Sequence, residues 1–417
     1  ERLKRTIVVG GGVIGVCCAY FLARRGSRVA VLERDEIGSG ASFGNAGTIS
    51  PGHPPMNRPV PLRKAVRWLL DPVSPLYIPA RWDPDLARWL KAFRSNSTQE
   101  RLEANMDVLA PLGHASRPLF DRLVEEEALD CDYRPDGYYE IFRTEHGREE
   151  VEAEAAMARA SGFRTEFLPP QALHEREPAL KRGLLGGAFY PEAATCNPLR
   201  FVQELAGRIR RHGGEVVTGV EVVEVLARNG RVTGVRTREG EVWEGDRVVL
   251  ATGAYSLDLV TRFGCRLPVQ AGKGYHRDGD PASGAVPPLN IACILREYYV
   301  LCAPMDGFVR LAGTMEFSGL NHEIREARVA QLTKAAGSFF DGVGGVECTS
   351  EWCGLRPCTP DGLPIVGPLS APEGVFVATG HAMLGLTLGP VTGQLVAEWI
   401  LDGKPSIDID AMRVERF

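Results

Sequence analysis

The apolar positions along the chain change period several times, and each change marks an element. Thr6, Ile7, Val8 and Val9 make a short continuous run that reads as a buried strand. After a glycine-rich turn, Val16-Cys17-Cys18-Ala19-Tyr20-Phe21-Leu22 reads as a buried helix ending at Gly26, and 28–32 as a second strand ending in Glu33. Residues 51–61 are proline-rich, an extended connector. Residues 62–130 read mainly helical, with Trp68, Leu69, Leu70 and then Leu86, Trp89, Leu90 and Phe93 as apolar faces. A strand is expected over 137–143, a helix with a solvated charged face over 148–160, and an amphipathic helix over 199–212. Residues 220–226 and 231–238 flank Asn229-Gly230, a favoured two-residue hairpin turn. A third strand over 247–251 closes on Thr252-Gly253-Ala254 and is expected to return to a parallel sheet. A second hairpin spans 296–314 and turns at Asp306-Gly307. Near the end, 375–379 reads as a strand, 380–387 as a glycine-rich loop and 388–401 as a helix with Pro390 in its first turn.

The first strand, helix and second strand enclose Gly10-x-Gly12-x-x-Gly15, which makes the whole a βαβ unit of nucleotide-binding type. Gly10 permits the tight turn, Gly12 lets a pyrophosphate approach the backbone, and Gly15 lets helix pack on strand. The helix N-terminus, with Val13 and Ile14, offers free N–H groups and partial positive charge to phosphates. Glu33, followed by Arg34, is placed for a carboxylate to accept hydrogen bonds from ribose hydroxyls. Two features favour FAD over NAD. Only one such fingerprint is present, which disfavours a second nucleotide domain. The second strand also leads into Gly38-Ser39-Gly40-Ala41-Ser42 and Gly44-Asn45-Ala46-Gly47, small residues that suit backbone laid against a large planar ring.

Composition excludes more than it assigns. In 417 residues, apolar types make up 44% and charged types 24%, ordinary for a globular chain of about two domains. The net charge of −5 argues against a nucleic-acid partner. The 10 cysteines are scattered, with no zinc-type pairs, and fit a reducing, cytoplasmic setting. Cys348, Cys353 and Cys358 match no ligand spacing, and no metal is expected. Ile7 to Ala23 resembles a signal peptide's apolar region, but its glycines and the following Arg24-Arg25-Gly26 argue against one. The chain opens on Glu1 rather than methionine, and a few residues are expected to precede it.

The C-terminal part carries a second constellation. Trp352-Cys353-Gly354-Leu355-Arg356-Pro357 precedes Thr359-Pro360-Asp361-Gly362, and Thr379-Gly380-His381 precedes Leu384-Gly385-Leu386-Thr387 at the head of the last helix. A helix N-terminus there would stabilise negative charge on a reduced flavin. With these blocks the chain resembles the D-amino-acid dehydrogenase family, within the group of FAD-dependent amino acid and amine oxidases that includes glycine oxidase and sarcosine oxidase. The resemblance runs end to end. It rests also on Asn45-Ala46-Gly47, Ile49-Ser50-Pro51-Gly52, Val60-Pro61-Leu62 with Arg67-Trp68, Phe142-Arg143-Thr144 and Lys273-Gly274-Tyr275.

The resemblance implies an α/β fold: a Rossmann-type, glutathione-reductase-like FAD-binding domain (1–52, 194–258 and 352–417) and an α+β substrate domain with a mixed or antiparallel sheet (53–193 and 259–351). It implies that Arg356 clamps the substrate carboxylate, which a planar guanidinium does with two parallel bonds. Lys273, Tyr275 and His276 would lie on a strand above the flavin, with His53 and His381 as weaker candidates. Val222, Thr252, Gly253, Gly354, Gly380, His381, Leu384, Gly385, Leu386 and Thr387 join the N-terminal residues as expected cofactor contacts. Sarcosine oxidases attach FAD through a cysteine near Cys353, but their position falls on Gly354, so non-covalent FAD is expected. The segment 386–390 looks more like enzymes of D-proline or hydroxy-D-proline. The expected reaction is hydride transfer from the α-carbon of a D-amino or cyclic D-imino acid to FAD. The acceptor is left open among a quinone, an electron-transfer partner and oxygen, with a peripheral contact at the inner face of the membrane as one option. A glycine- or sarcosine-type oxidase, and a flavin subunit of a heteromeric electron-transfer complex, are the alternatives.

Overall fold

The computed structural model describes residues 4–61, 68, 71–281, 289–341, 343 and 348–417. The first apolar run is the strand Arg5–Val9 (β1), whose buried Ile7, Val8 and Val9 lie near the middle of a six-stranded sheet. A strand covered on both faces has no polar side to show, which explains the missing alternation. In space the order is Ile365–Pro368 (β19), Val375–Thr379 (β20), Arg247–Leu250 (β13), β1, Arg28–Leu32 (β2) and Glu215–Val217 (β9). All neighbours run parallel except β19 with β20. The helices among the described residues are Val13–Arg24 (α1), Pro84–Asn96 (α2), Gln99–Glu126 (α3), Glu145–Ala160 (α4), Pro170–Arg176 (α5), Pro198–Arg211 (α6), Ser256–Val260 (α7), Glu326–Phe339 (α8) and Gly385–Asp402 (α9). Helix α1 links β1 to β2 and is buried almost all round, between the sheet, α6 and α9. The chain turns from β1 to β2 on one side and to β13 on the other. Ligands of open α/β sheets sit at that switch point, beyond the strands' C-terminal ends.

The second sheet is mixed. Its order is Cys348–Cys358 (β18), Gln270–Gly279 (β14), Phe308–Glu316 (β17), Val300–Met305 (β16), Ala292–Leu295 (β15), Tyr138–Phe142 (β5), Gly186–Tyr190 (β7) and Glu166–Leu168 (β6), with Leu76–Tyr77 (β4) pairing β17. One face packs on α8 through Tyr139, Ile141, Cys293, Leu311, Val329, Leu332 and Phe339. The other faces the first sheet and floors the cavity described below. Two small sheets complete the fold: Thr48–Ile49 (β3) with Ala194–Thr195 (β8), and a meander of Val222–Arg228 (β10), Arg231–Thr237 (β11) and Val242–Glu244 (β12). The fold is thus the expected α/β one. Asn229 and Gly230 take φ of 52° and 75°, as the predicted hairpin turn requires.

Three boundaries differ from the sequence reading. The hairpin gains a third strand, β12, too short and polar to stand out, while β13 joins the parallel sheet as expected. The long helical stretch breaks at Ser97, where the Thr98 side chain accepts from the Arg101 N–H and caps α3. Helix α9 begins at Gly385, so Pro390 stands in its second turn and leaves the Leu386 carbonyl without its usual donor. The expected apolar face at Leu69 and Leu70, and Leu62 and Arg67 of the family blocks, lie outside the described residues. Among the described residues no helix is long and apolar enough to cross a membrane.

Helix α1 meets α9 where a Cβ on Gly393 would come within 2.5 Å of the Cys17 backbone. Gly393→Val is expected to lower the unfolding free energy by about 1–3 kcal/mol through overpacking. Gly207, inside α6 with nothing near its would-be Cβ, supplies the opposite case: Gly207→Ala should raise it by about 0.4–1 kcal/mol. Urea midpoints measured at unchanged slope check both.

Candidate active site

A cavity of about 920 Å³ runs from the C-terminal ends of β1 and β13 across the inner face of the second sheet. That is at the upper end for small-molecule sites and suits a long ligand together with a smaller one. Gly10, Gly12, Val13 and Ile14 line one end, beside Glu33, Arg34, Thr252 and Gly253. Gly12 caps α1 without any side-chain hydrogen bond, and the first turn holds no acidic residue. The Val13 N–H donates to Ser42 Oγ at 3.0 Å. Glu33 accepts from the Gly11 N–H at 2.5 Å and from the Asp35 N–H at 3.0 Å, which fixes its carboxylate at the rim. The Arg34 guanidinium lies 4.1 Å over the Tyr255 ring and extends this wall, and Val222 of β10 lies beside it. Gly15 lies behind, where a Cβ would overlap the Gly10 carbonyl.

The middle of the cavity is bounded by Ser42, Gly44, Asn45 and Ala46, by Trp352 and Gly354, and by His381, Leu384, Gly385, Leu386 and Thr387 at the head of α9. A Cβ on either Gly44 or Gly354 would overlap the Trp352 indole, so the indole fits only because both are glycine. Behind it His276 stacks at 5.1 Å and donates from Nδ1 to the Gly44 carbonyl at 3.2 Å. Arg310 donates to the carbonyls of Phe43 (3.0 Å) and Asn45 (2.9 Å) while its other nitrogens hold Asp278. The glycine-rich segment is therefore pinned to the second sheet. Gly47 turns it back with φ of 79°, and Gly380 does the same before α9 with φ of 78°. Like α1, α9 starts without a side-chain cap and without an acid in its first turn. Two uncapped helix N-termini at one elongated cavity, with flat backbone between them, fit a flavin dinucleotide.

At the far end of β18 Arg356 crosses the sheet. Its guanidinium lies where a Cβ on Gly274 would be, and NH1 donates to the Thr314 carbonyl at 2.9 Å. Among the described residues no carboxylate contacts it, and burial pulls its pKa below the ordinary arginine value. An apolar wall of Met56, Leu76, Ile78, Leu90, Phe93 and Phe317 stands beside it.

His53 also lines the cavity, against a charged network. Arg58 grips Glu154 at 2.5 and 2.8 Å, and Arg296 reaches Glu154 at 2.6 Å and Glu150 at 3.2 Å. The two arginines hold the Glu154 carboxyl far below its usual range, whereas burial and the Glu154 charge push that of Glu140 upward. His53 Nδ1 donates to the Pro54 carbonyl, and burial lowers its pKa to about 4.

The strand alternation separates the other candidates. Lys273 and Tyr275 send their side chains to the α8 side, where Lys273 Nζ donates to Asn321 Oδ1 and the Glu323 carbonyl, and Tyr275 Oη donates to Glu316. Lys273 does not line the cavity, Tyr275 still borders it, and His276 lies behind Trp352 rather than in it. Cys353 is in the α8-side core, opposite Gly354 and Arg356. Cys353 and Cys358 are five apart on one strand and face opposite ways, while the Cys348 side chain lies outside the described residues. No cluster able to hold a metal occurs among the described residues. Sequence reasoning missed Trp352, Arg310, Thr314 and the Arg58–Glu154–Arg296 network. The glycines at 44, 274 and 354 are the signal that something large lies against them.

A sequence model of the family described as FAD dependent oxidoreductase matches residues 5–399. A D-amino acid dehydrogenase of Xanthobacter autotrophicus is 34% identical, covering 99% of this chain and 99% of the relative. Another, of Methylobacterium nodulans, is 35% identical and covers 97% and 96%. Among solved structures, glycine oxidase from Geobacillus kaustophilus superposes with a TM-score of 0.79 at 24% identity, covering 99% of each chain. L-proline dehydrogenase from P. horikoshii gives 0.77 at 19%, covering 99% and 97%.

Burial holds His53 and His276 at about 4 and His381 at about 3, below the ordinary 6.5. Each binds fewer protons folded than unfolded in that interval. Its stabilisation is present above pH 6.5 and is lost as pH falls toward the folded value. His381→Gln removes one such group, so between about pH 4 and 6 the wild-type unfolding free energy should fall more steeply by about 1.4 kcal/mol per pH unit. Urea titrations across that range check it; parallel curves would exclude the assignment.

Proposed function

The chain belongs to the FAD dependent oxidoreductase family, and from that premise we propose that it dehydrogenates a D-amino acid or a cyclic D-imino acid at the α-carbon. The observation that carries this reading is Arg356. A guanidinium half-buried in the cavity wall without a carboxylate of its own is a ready partner for an anionic ligand. A carboxylate matches its fork with two parallel charge-assisted bonds. The apolar wall beside it takes a ligand whose remaining body is hydrocarbon. The two bacterial relatives named above supply the D-configuration and the amino-acid class.

FAD, when bound, supplies a two-electron acceptor for the hydride leaving the α-carbon. Gly10, Gly12, Val13, Ile14, Glu33 and Arg34 would hold its nucleotide half, and Ser42, Gly44, Asn45, Ala46, Gly354 and the 384–387 backbone would hold its ring. Cys353 points to the opposite face of β18, which favours non-covalent attachment. Arg356 fixes the carboxylate and so limits where the α-carbon can stand. Orientation of this kind accounts for a large part of many enzymatic accelerations. The apolar wall excludes water from the reacting carbon. No side-chain base is required, since an amine that has lost its proton to solvent carries the lone pair that expels the hydride. Water afterwards converts the imine to a 2-oxo acid and ammonia, unless the imine is cyclic and persists.

The test is anaerobic. FAD-loaded protein mixed with a panel of D- and L-amino acids should lose its visible flavin band with D-enantiomers. Bleaching by L-enantiomers alone would overturn the stereochemical assignment. Arg356→Ala should weaken substrate binding by about 2–5 kcal/mol, as for truncation within a buried charge pair; an unchanged apparent affinity would remove Arg356 from the site.

A further inference from the structure

Past Arg356 the cavity continues into a polar arm. It is bounded by His53 and Arg58 of the extended connector, by Glu150 and Glu154 of α4, and by Arg296 and Tyr299 between β15 and β16. The two glutamates are four residues apart, so one face of α4 presents both. Arg58 grips Glu154 with two bonds, Arg296 joins Glu154 to Glu150, and Tyr299 Oη donates to Glu150 at 2.9 Å. The knot is cross-braced, and among the described residues it is balanced: the guanidinium groups of Arg58 and Arg296 face the carboxylates of Glu150 and Glu154. Glu140 stands behind it, where burial and the Glu154 charge disfavour its ionised form.

Two polar atoms of this arm are left over. The His53 Nδ1 proton goes to the Pro54 carbonyl at 2.7 Å, which leaves Nε2 as an acceptor. Glu154 Oε1 stands 4.0 Å from that nitrogen and is an acceptor too. Arg58 spends both terminal nitrogens on Glu154, which leaves its Nε–H as a donor. Neither His53 Nε2 nor Arg58 Nε bonds to a described residue, and neither is among the sealed, unpartnered atoms of the fold. The His53 side chain is 18% exposed and that of Arg58 25%, and both line the cavity.

We propose that this arm is the subsite for the substrate's side chain, and that it selects D-amino acids ending in an uncharged group that both donates and accepts, a carboxamide or a hydroxyl. The end group donates to His53 Nε2 and accepts from Arg58 Nε–H. The inference rests on the reading of Arg356 given above. A hydrocarbon end would leave both atoms dry and unpaired. A charged end would be buried against a knot whose charges already cancel. The reach also fits. Arg356 is held by the Thr314 carbonyl of β17, and Arg296 follows β15, two strands further on. Two strand spacings are about 10 Å, and a hydrogen bond of about 3 Å at each end leaves about 4 Å of ligand between them. A polar atom at the γ or δ position of a side chain spans that gap, and the apolar wall beside Arg356 covers the intervening carbons.

The test compares D-amino acids of equal outline. D-Asparagine, D-leucine and D-aspartate share one shape; D-glutamine, D-homoleucine and D-glutamate share the next longer one. Values of kcat/KM are measured on FAD-loaded protein with a dye as electron acceptor. In the wild type the better of the two amides should exceed its hydrocarbon and its acidic counterpart by at least about tenfold. In His53→Phe the preference over the hydrocarbon should fall below about threefold, through loss on the amide and not gain on the hydrocarbon. The wild-type comparison needs no variant, so it stands if His53→Phe fails to fold. Hydrocarbon or acidic counterparts that match both amides in the wild type would overturn the proposal. So would a preference that His53→Phe leaves unchanged, or an effect of that variant confined to reoxidation of the reduced flavin. Any of these results, joined to loss of turnover in Arg356→Ala, would leave the Arg356 reading standing alone. Turnover of none of the six acids by the wild type would remove both.

Discussion

One guanidinium lies flat across a glycine in the second sheet, and the organisation of the site follows from what that arrangement lacks. Arg356 occupies the space a side chain at 274 would take, is bonded to one backbone carbonyl, and has no carboxylate against it among the described residues. Elsewhere the buried arginines are paired: Arg310 with Asp278, Arg296 with Glu154 and Glu150, Arg328 with Glu316. On that contrast rests the proposed role of Arg356 as the group that receives the substrate's carboxylate. Arg356 is half-buried, and its unpaired face opens on the cavity.

The two sheets divide the labour around that charge. The parallel sheet supplies the switch point and two helix N-termini whose own N-cap residues offer no side-chain cap; the mixed sheet supplies a floor of alternating side chains. What joins them is the small-residue segment 42–47. It belongs by sequence to the first sheet, yet it is tied by Arg310 and His276 to the second. Its distance from Arg356 is therefore set by the ladder of β14, β17 and β18 rather than by a free loop. A ring seated on that segment and an acid seated on Arg356 are located by the same strands.

Much of this was legible in the chain before any coordinates. The βαβ unit, the hairpin at Asn229-Gly230 and the last helix follow from local patterns: a continuous apolar run, a turn dipeptide and glycines at fixed offsets; Arg356 was singled out by the family resemblance instead. The parts that were not legible depend on pairing across long stretches of sequence. Lys273 and Tyr275 stand next to Gly274, yet alternation sends both to the α8 side. Thr314 looks like any strand threonine until its register against 273–275 exposes a bulge. Arg58, Glu154 and Arg296 are far apart in sequence and meet where α4 packs on β5, whose parallel neighbour β15 leads into Arg296. Cys353 looked close to a cofactor-attachment position, but the parity of β18 puts its sulfur in the opposite core.

The claim that Arg356 waits for the substrate's carboxylate is tested most directly by removing the charge from the ligand and leaving the protein intact. The dissociation constant of FAD-loaded protein would be measured for 2-aminoisobutyrate and for its primary amide, which has the same outline and no negative charge. Weakening of the amide by at least about thirtyfold, the loss of a charge-assisted bidentate contact, is the expected result. Equal affinities would contradict it, and would mean that the guanidinium has another purpose.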